Sequence, residues 1–208
     1  MAIAVNVAKA RLKKNELSIG IGIRLVRNVD IIKVMKAAGF DWLFIDLEHG
    51  SMSIETACEI SVAAQDSGIA PIVRVPYGEL TMATRVLDGG ALGVVIPHVD
   101  TPEEAKEIAD KLRYPPRGHR SVGGGQAQFD YAPMPLGEMT AKIDDNTLIT
   151  VMIETPKAVE NADNIEYFTE AVSGSTIRHG TTGFRPGDSC QWAMDGECDH
   201  PGLGTGVC

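Results

Sequence analysis

Apolar runs of four to eight residues recur along the first 155 positions, each followed by a stretch with helical spacing of apolar and polar residues. Ser18–Leu25 alternates apolar positions with Gly20 and Gly22, which predicts a strand with close backbone approach. Trp42–Ile45, Ala70–Val75, Leu92–Val99 and Leu148–Ile153 are short apolar runs of the kind that form strands buried on both faces. Between them lie helical patterns. One is capped by Asn28 or Asp30 and stopped by Gly39; a second starts at Ser53 and ends at Gly68. A third covers Leu80–Leu87, and a fourth opens on a Thr101–Glu104 capping box with Pro102 at its first turn. Residues 2–14 carry helix formers with a basic end, and a last helix is predicted from Ala158 to about Ala171. Tyr114 to about Met139, rich in Pro, Gly and Arg, reads as a long loop.

Strand followed by helix, repeated every 25–30 residues without hairpin turns, argues a parallel sheet, open or closed into a barrel. The rhythm stops after Val172. Residues 173–208 contain no apolar run longer than three residues and read as an irregular tail rich in Gly and Cys. The domain reading is therefore a barrel-type unit over residues 1–172 and this tail over 173–208.

Composition narrows the function. Of 208 residues, 44% are hydrophobic and 23% charged, as in an ordinary globular domain. A net charge of −9 argues against a nucleic-acid or acidic-membrane partner, because both need a basic face. No apolar run is long enough to span a bilayer, and the N-terminus lacks the basic and apolar regions of a signal peptide. Three of the four cysteines follow position 189, which leaves no disulfide framework across the body and points to a cytoplasmic setting. Cys190, Cys198, His200 and Cys208 have spacings that fit no common zinc pattern.

The strand ends carry the candidate chemistry. Asp46, Glu48 and His49 follow the second strand, Arg74 ends the third, His98 the fourth, and Glu154 the fifth. In parallel α/β folds these ends meet on one face, where ligands bind. Together they supply a base, a fixed cation and carboxylates for a divalent metal. Arg74 lies in an apolar strand and needs an anion, which could be a substrate or one of the chain's own acids. Glu154 could equally cap the next helix. Asp88, just past a helix, reads as a solvent residue on spacing alone.

Five ordered motifs then carry a resemblance: Phe40–Gly50 (Phe-Asp-Trp-Leu-Phe-Ile-Asp-Leu-Glu-His-Gly), Pro71–Pro76, Leu87–Val99, Arg113–Ser121 and Met152–Thr155. Over roughly residues 15–165 the chain resembles the HpcH/HpaI family of metal-dependent class II aldolases. The resemblance implies a (β/α)8 TIM-barrel fold, here incomplete with about six βα units, and a homo-hexamer. It implies reversible carbon–carbon lyase chemistry: cleavage of 4-hydroxy-2-oxo acids to pyruvate, or decarboxylation of oxaloacetate-like acids. His49 would be the general base, acting through a metal-bound water, and Asp88 its orienting partner. Arg74 would bind the pyruvate carboxylate and steady the enolate, and Glu154 would hold Mg²⁺ or Mn²⁺. Glu48 and Asp46 would support these groups. Met152 stands where the family often has Gln, which removes a polar contact to the substrate. Gly183, within Arg178–Phe184, stands where a second metal carboxylate is expected. The same resemblance thus admits an active lyase or a family member impaired at its metal site. An anion loop at Gly123–Gly125 in a phosphate-binding barrel is a third reading.

Overall fold

The computed structural model describes residues 3–165. Within them the chain alternates as expected: α1 (Val7–Leu12), β1 (Gly20–Ile23), α2 (Asp30–Ala37), β2 (Trp42–Asp46), α3 (Ile54–Asp66), β3 (Ala70–Arg74) and α4 (Leu80–Asp88). Then follow β4 (Gly93–Ile96), α5 (Pro102–Leu112), a 3-10 turn (Ala127–Phe129), α6 (Leu136–Asn146), β5 (Leu148–Val151) and α7 (Pro156–Glu160). Local chemistry accounts for most boundaries. Ser53 and Thr101 accept the first free N–H groups of α3 and α5, and Glu104 closes the reciprocal bond of the capping box. α2 has no side-chain cap: Val29 holds the N-cap position, and the Asn28 side chain accepts from the Asp30 N–H just ahead of it, so neither Asn28 nor Asp30 caps the helix as expected. Thr155, not Glu154, caps α7 through a bond from Ala158 N–H, so the Glu154 carboxylate is left for other partners.

The five strands pair in parallel in the order β1-β2-β3-β4-β5. An order without reversal, joined by right-handed crossovers, places every connecting helix on the same side of the sheet. That is the winding of a (β/α)8 barrel and not of a doubly wound open sheet, which needs a switch point. The burial pattern agrees. Leu43, Ile45, Val73, Val94, Ile149 and Val151 pack outward against α2–α5 in the main core. The other face carries Trp42, Phe44, Ala70, Ile72, Val95 and Leu148, which form a second core with Val7 and Ala8 of α1. Five units lie within the described residues. The expected continuation of α7 and the tail 173–208 lie outside them. No helix among the described residues is long and apolar enough to cross a membrane.

The region read as one loop from Tyr114 to Met139 holds a 3-10 turn and the start of α6. α6 escaped the sequence pattern because only Met139 and Ile143 mark its apolar face, with Thr140 and Asp144 completing the buried side.

α1 closes the interior at the amino ends of the strands. Asn6 donates to the Leu92 carbonyl before β4, and its own N–H donates to Asn146. Lys9, 5% exposed, donates to the Thr147 carbonyl just before β5. Burial, reinforced by the Arg113 guanidinium that also donates to Thr147, pushes the Lys9 ammonium down to about 7. An unfolded lysine titrates near 10.4. Between these values the unfolded chain binds the proton and the folded chain does not, so stability rises with pH from about 7 to about 10. Lys9→Met is expected to stabilise the fold at pH 6 and to lose that advantage at pH 10, as read from urea midpoints. An equal effect at both values would show that Lys9 is charged throughout.

Candidate active site

β2 ends in Asp46, whose carboxylate is 1% exposed and organises the carboxyl end of the sheet. In register, Asp46 pairs with Arg74 on the adjacent strand, so both side chains point into the interior. Arg74 grips it with two bonds, Nε to Oδ1 at 3.0 Å and Nη2 to Oδ2 at 2.7 Å. Asp46 Oδ1 also accepts from the N–H groups of Glu48 and His49, which shapes the turn after β2. Gly50 ends that turn with no room for a side chain, since a Cβ would lie 2.8 Å from the Asp46 carbonyl oxygen. Burial alone would raise the Asp46 carboxyl, but the Arg74 bonds and the two N–H groups outweigh it and hold it below its ordinary value. The same pair raises the Arg74 guanidinium against the opposing effect of burial. Of the two partners open to Arg74 in the sequence, one of the chain's own acids is therefore satisfied first.

Arg74 still presents an edge to the interior. Its Nη1 lies 3.4 Å from Glu48 Oε2 and 4.0 Å from Met152 Sδ, and the guanidinium stacks 5.2 Å above the centre of Phe44. Glu48 reaches both neighbours, with Oε2 also 3.6 Å from His49 Nε2. His49 is 60% exposed at the side chain and faces the open end. Across the face, Glu154 accepts from the His98 backbone N–H at 3.1 Å, and its Oε2 lies 3.3 Å from His98 Nδ1. His98 adopts a left-handed φ of 54° to make this contact and packs edge-on against Tyr77 at 5.7 Å. A non-glycine residue in that conformation, two positions past the end of β4, is a departure from relaxed geometry at the site itself.

Two residues of this face were not singled out by sequence. Arg24 comes from the end of β1; its Nε is 3.4 Å from Asp46 Oδ2 and its Nη2 donates to the His49 carbonyl. The apolar pattern carried the strand through Leu25, which hid Arg24 inside it. Cutting the strand at Ile23 puts Arg24 at a strand end like the others. Tyr77 sat in a Pro-Tyr-Gly turn and gave no chemical signal.

The expected His49–Asp88 pair does not form within one chain. α4 runs antiparallel to the strands, so Asp88 at its last turn lies beside the amino end of β4. A strand of four or five residues separates the two ends by about 13–17 Å. Asp88 instead accepts from Arg120 Nη2 at 2.6 Å and is 43% exposed at the side chain. Its other oxygen has no hydrogen-bond partner among the described residues. Arg120 is itself 1% exposed and lies 4.6 Å above the Tyr114 ring.

Among the described residues no three of His, Cys, Asp and Glu stand close enough to cage a metal unaided. Magnesium-type ions need only one or two carboxylates, because waters and substrate oxygens complete the shell. Glu154, one-third exposed and beside His98, fits that role. Gly183, at the expected second carboxylate, lies outside the described residues.

The family model for HpcH/HpaI aldolase/citrate lyase matches residues 25–177. The chain belongs to that family. It is 40% identical over 163 residues to a 4-hydroxy-4-methyl-2-oxoglutarate aldolase of Hapsidospora irregularis, covering 77% of this chain and 60% of the relative. It is 36% identical over 173 residues to a 5-keto-4-deoxy-D-glucarate aldolase of Salmonella paratyphi A, covering 83% of this chain and 66% of the relative. Among solved structures, an HpcH/HpaI aldolase from Desulfitobacterium hafniense superposes with a TM-score of 0.72 at 32% identity, over 80% of this chain and 62% of that one. The chain thus spans about three-fifths of the length of these relatives.

Proposed function

We propose that this chain is a divalent-metal-dependent carbon–carbon lyase that cleaves 4-hydroxy-2-oxo acids to pyruvate and an aldehyde or keto partner, and forms them in reverse. The observation that carries this reading is the Asp46–Arg74 pair: a guanidinium fixed in an apolar interior by two bonds, with one edge turned toward Glu154 and His49 lying along the same face. The relatives named as aldolases support the same class.

In cleavage, the 2-oxo acid carboxylate and keto oxygen lie against Nη1 of Arg74, the nitrogen that Asp46 does not take and that Glu48 approaches at 3.4 Å. His49 takes the proton of the C4 hydroxyl, the C3–C4 bond breaks, and its electrons pass to the C2 oxygen. Arg74 steadies that developing enolate charge with donors already in place, the kind of preorganisation that lowers barriers most. Proton return to C3 then gives pyruvate. A Mg²⁺ or Mn²⁺ ion held by Glu154 would supply Lewis-acid polarisation of the keto oxygen. Glu48, between His49 and Arg74, orients both. Met152 lines the pocket below Arg74 as an apolar contact.

Asp88 enters this scheme only across two copies of the chain. It stands half exposed at the amino end of the sheet, held by a buried arginine, and a neighbouring copy's His49 is the partner it could orient. A homo-oligomer, as the hexamer expectation has it, would bring the two together.

Pyruvate release from 4-hydroxy-2-oxo acids, with added Mg²⁺ or Mn²⁺ and coupled to lactate dehydrogenase, tests the proposal. Turnover is expected with metal and is expected to vanish on chelation. Pyruvate release that persists unchanged in Glu154→Gln with chelator present would overturn the assigned metal role.

A further inference from the structure

We infer that His98 is a ligand of the divalent metal beside Glu154, so that the site offers one imidazole nitrogen and one carboxylate and prefers Mn²⁺ and Co²⁺ to Mg²⁺. The inference rests on the metal-dependent lyase reading and deepens it.

β4 and β5 are neighbours with Ile96 opposite Val151, so their chains leave the sheet side by side, and His98 and Glu154 follow shortly after. The Glu154 carboxylate is placed without help from the imidazole, because the His98 backbone N–H already donates to it at 3.1 Å. Thr155 takes the cap of α7, so no helix needs that carboxylate either. The imidazole nonetheless lies with Nδ1 3.3 Å from Glu154 Oε2, its ring steadied by the Tyr77 edge. Two donors about 2.1 Å from one ion stand about 3.0 Å apart when they occupy adjacent octahedral positions. Nδ1 and Oε2 therefore already have close to the spacing of two ligands of one cation. Holding the ring there takes a left-handed φ of 54° at a residue with a Cβ, and at 52% exposure the side chain gains little burial in return.

Charge singles out the same pair. Asp46 and Glu48 are both engaged by Arg74, and Asp100 accepts from the Thr155 hydroxyl at 2.7 Å. Glu154 pairs with no arginine or lysine among the described residues, and its side chain is partly open at the carboxyl end of the sheet. A carboxylate facing an imidazole and no fixed cation keeps its negative charge for a metal. Mg²⁺ takes oxygen ligands and gains little from a nitrogen. An imidazole adds affinity for first-row transition ions, with Co²⁺ held above Mn²⁺. One nitrogen beside one carboxylate thus sets the order Co²⁺, Mn²⁺, Mg²⁺.

The test is binding of Mg²⁺, Mn²⁺ and Co²⁺ to the full chain by calorimetry, with pulsed electron paramagnetic resonance of the Mn²⁺ complex. Wild type is expected to show hyperfine coupling from a directly bound nitrogen and to bind Mn²⁺ about 10-fold more tightly than Mg²⁺. His98→Gly takes the left-handed φ without strain and keeps the backbone bond to Glu154. It is expected to lose the nitrogen signal and to weaken Mn²⁺ and Co²⁺ binding by about 10- to 100-fold, with Mg²⁺ moving by less than about 3-fold. His49→Ala should keep the signal. An oxygen-only spectrum in wild type, a nitrogen signal that survives His98→Gly, or no Mn²⁺ binding at all would overturn the inference. Pyruvate release, measured separately, distinguishes this from failure of the lyase reading. Metal-dependent release with an oxygen-only spectrum leaves the lyase reading intact and refutes the His98 ligand. A nitrogen signal that depends on His98, in a protein that releases no pyruvate, upholds the ligand and refutes the lyase reading.

Discussion

Arg74→Ala is expected to lower kcat/KM for pyruvate release by about 10²- to 10³-fold, the loss typical of removing one preorganised donor to a developing oxyanion. The same substitution should weaken the fold. It leaves Asp46 nearly fully buried, with two backbone N–H groups and the more distant Arg24 as its remaining partners. Breaking a buried ion pair from one side costs about 3–5 kcal/mol, and those surviving partners place the expected loss at the lower end, about 3 kcal/mol. A pH signature distinguishes this cause from general damage. Asp46 titrates below its unfolded value in the folded chain, so its stabilising contribution is fully present above about pH 4 and is lost as the pH falls through the lower folded value. Without Arg74 the carboxyl is raised by its burial, and that loss begins at higher pH. Urea unfolding of wild type and Arg74→Ala between pH 3 and pH 7 reads the difference. Arg74→Lys should recover more stability than activity, since an ammonium neutralises Asp46 but cannot hold it through two bonds and also offer an ordered edge to substrate. Wild-type stability and activity in Arg74→Ala would remove the centre of the proposed mechanism.

The second large effect concerns the pair that one chain cannot form. His49→Ala and Asp88→Ala are each expected to lower kcat by about 10²- to 10⁴-fold, the usual range for losing general-base function. When the two inactive variants are unfolded, mixed in equal amounts and refolded together, activity should return to about a quarter of wild type, because random pairing gives one site in four both native residues. Recovery requires that His49 and Asp88 serve one site from different copies. Mixing without recovery, or full activity in Asp88→Ala, would confine Asp88 to its contact with Arg120. Circular dichroism of each variant separates loss of function from loss of fold, since Arg120 is buried and would keep its charge without its partner.

Much of the site could be read without coordinates because parallel strands deliver their carboxyl ends to one face whatever their register. Asp46, His49, Arg74, His98 and Glu154 each followed an apolar run, and all five came together. Arg24 was missed for a local reason. β1 contains two glycines and is only four residues long, so its apolar pattern ran on through Leu25 and blurred where the strand stops. α6 was missed because a helix against a small satellite core needs few apolar positions to show itself.

By itself the sequence determined the alternation of strand and helix, the helix caps at Ser53 and Thr101, and the set of polar groups at the strand ends, since these depend on periodicity and on hydrogen bonds within a few residues. Tertiary structure alone decided the pairings. It gave Arg74 to Asp46 through the β2–β3 register, turned Glu154 toward His98 once Thr155 had taken the helix cap, and carried Asp88 to the far end of the sheet through the direction of α4. Register and helix direction are properties of how elements pack on one another, and neither is written in the residues that they bring together.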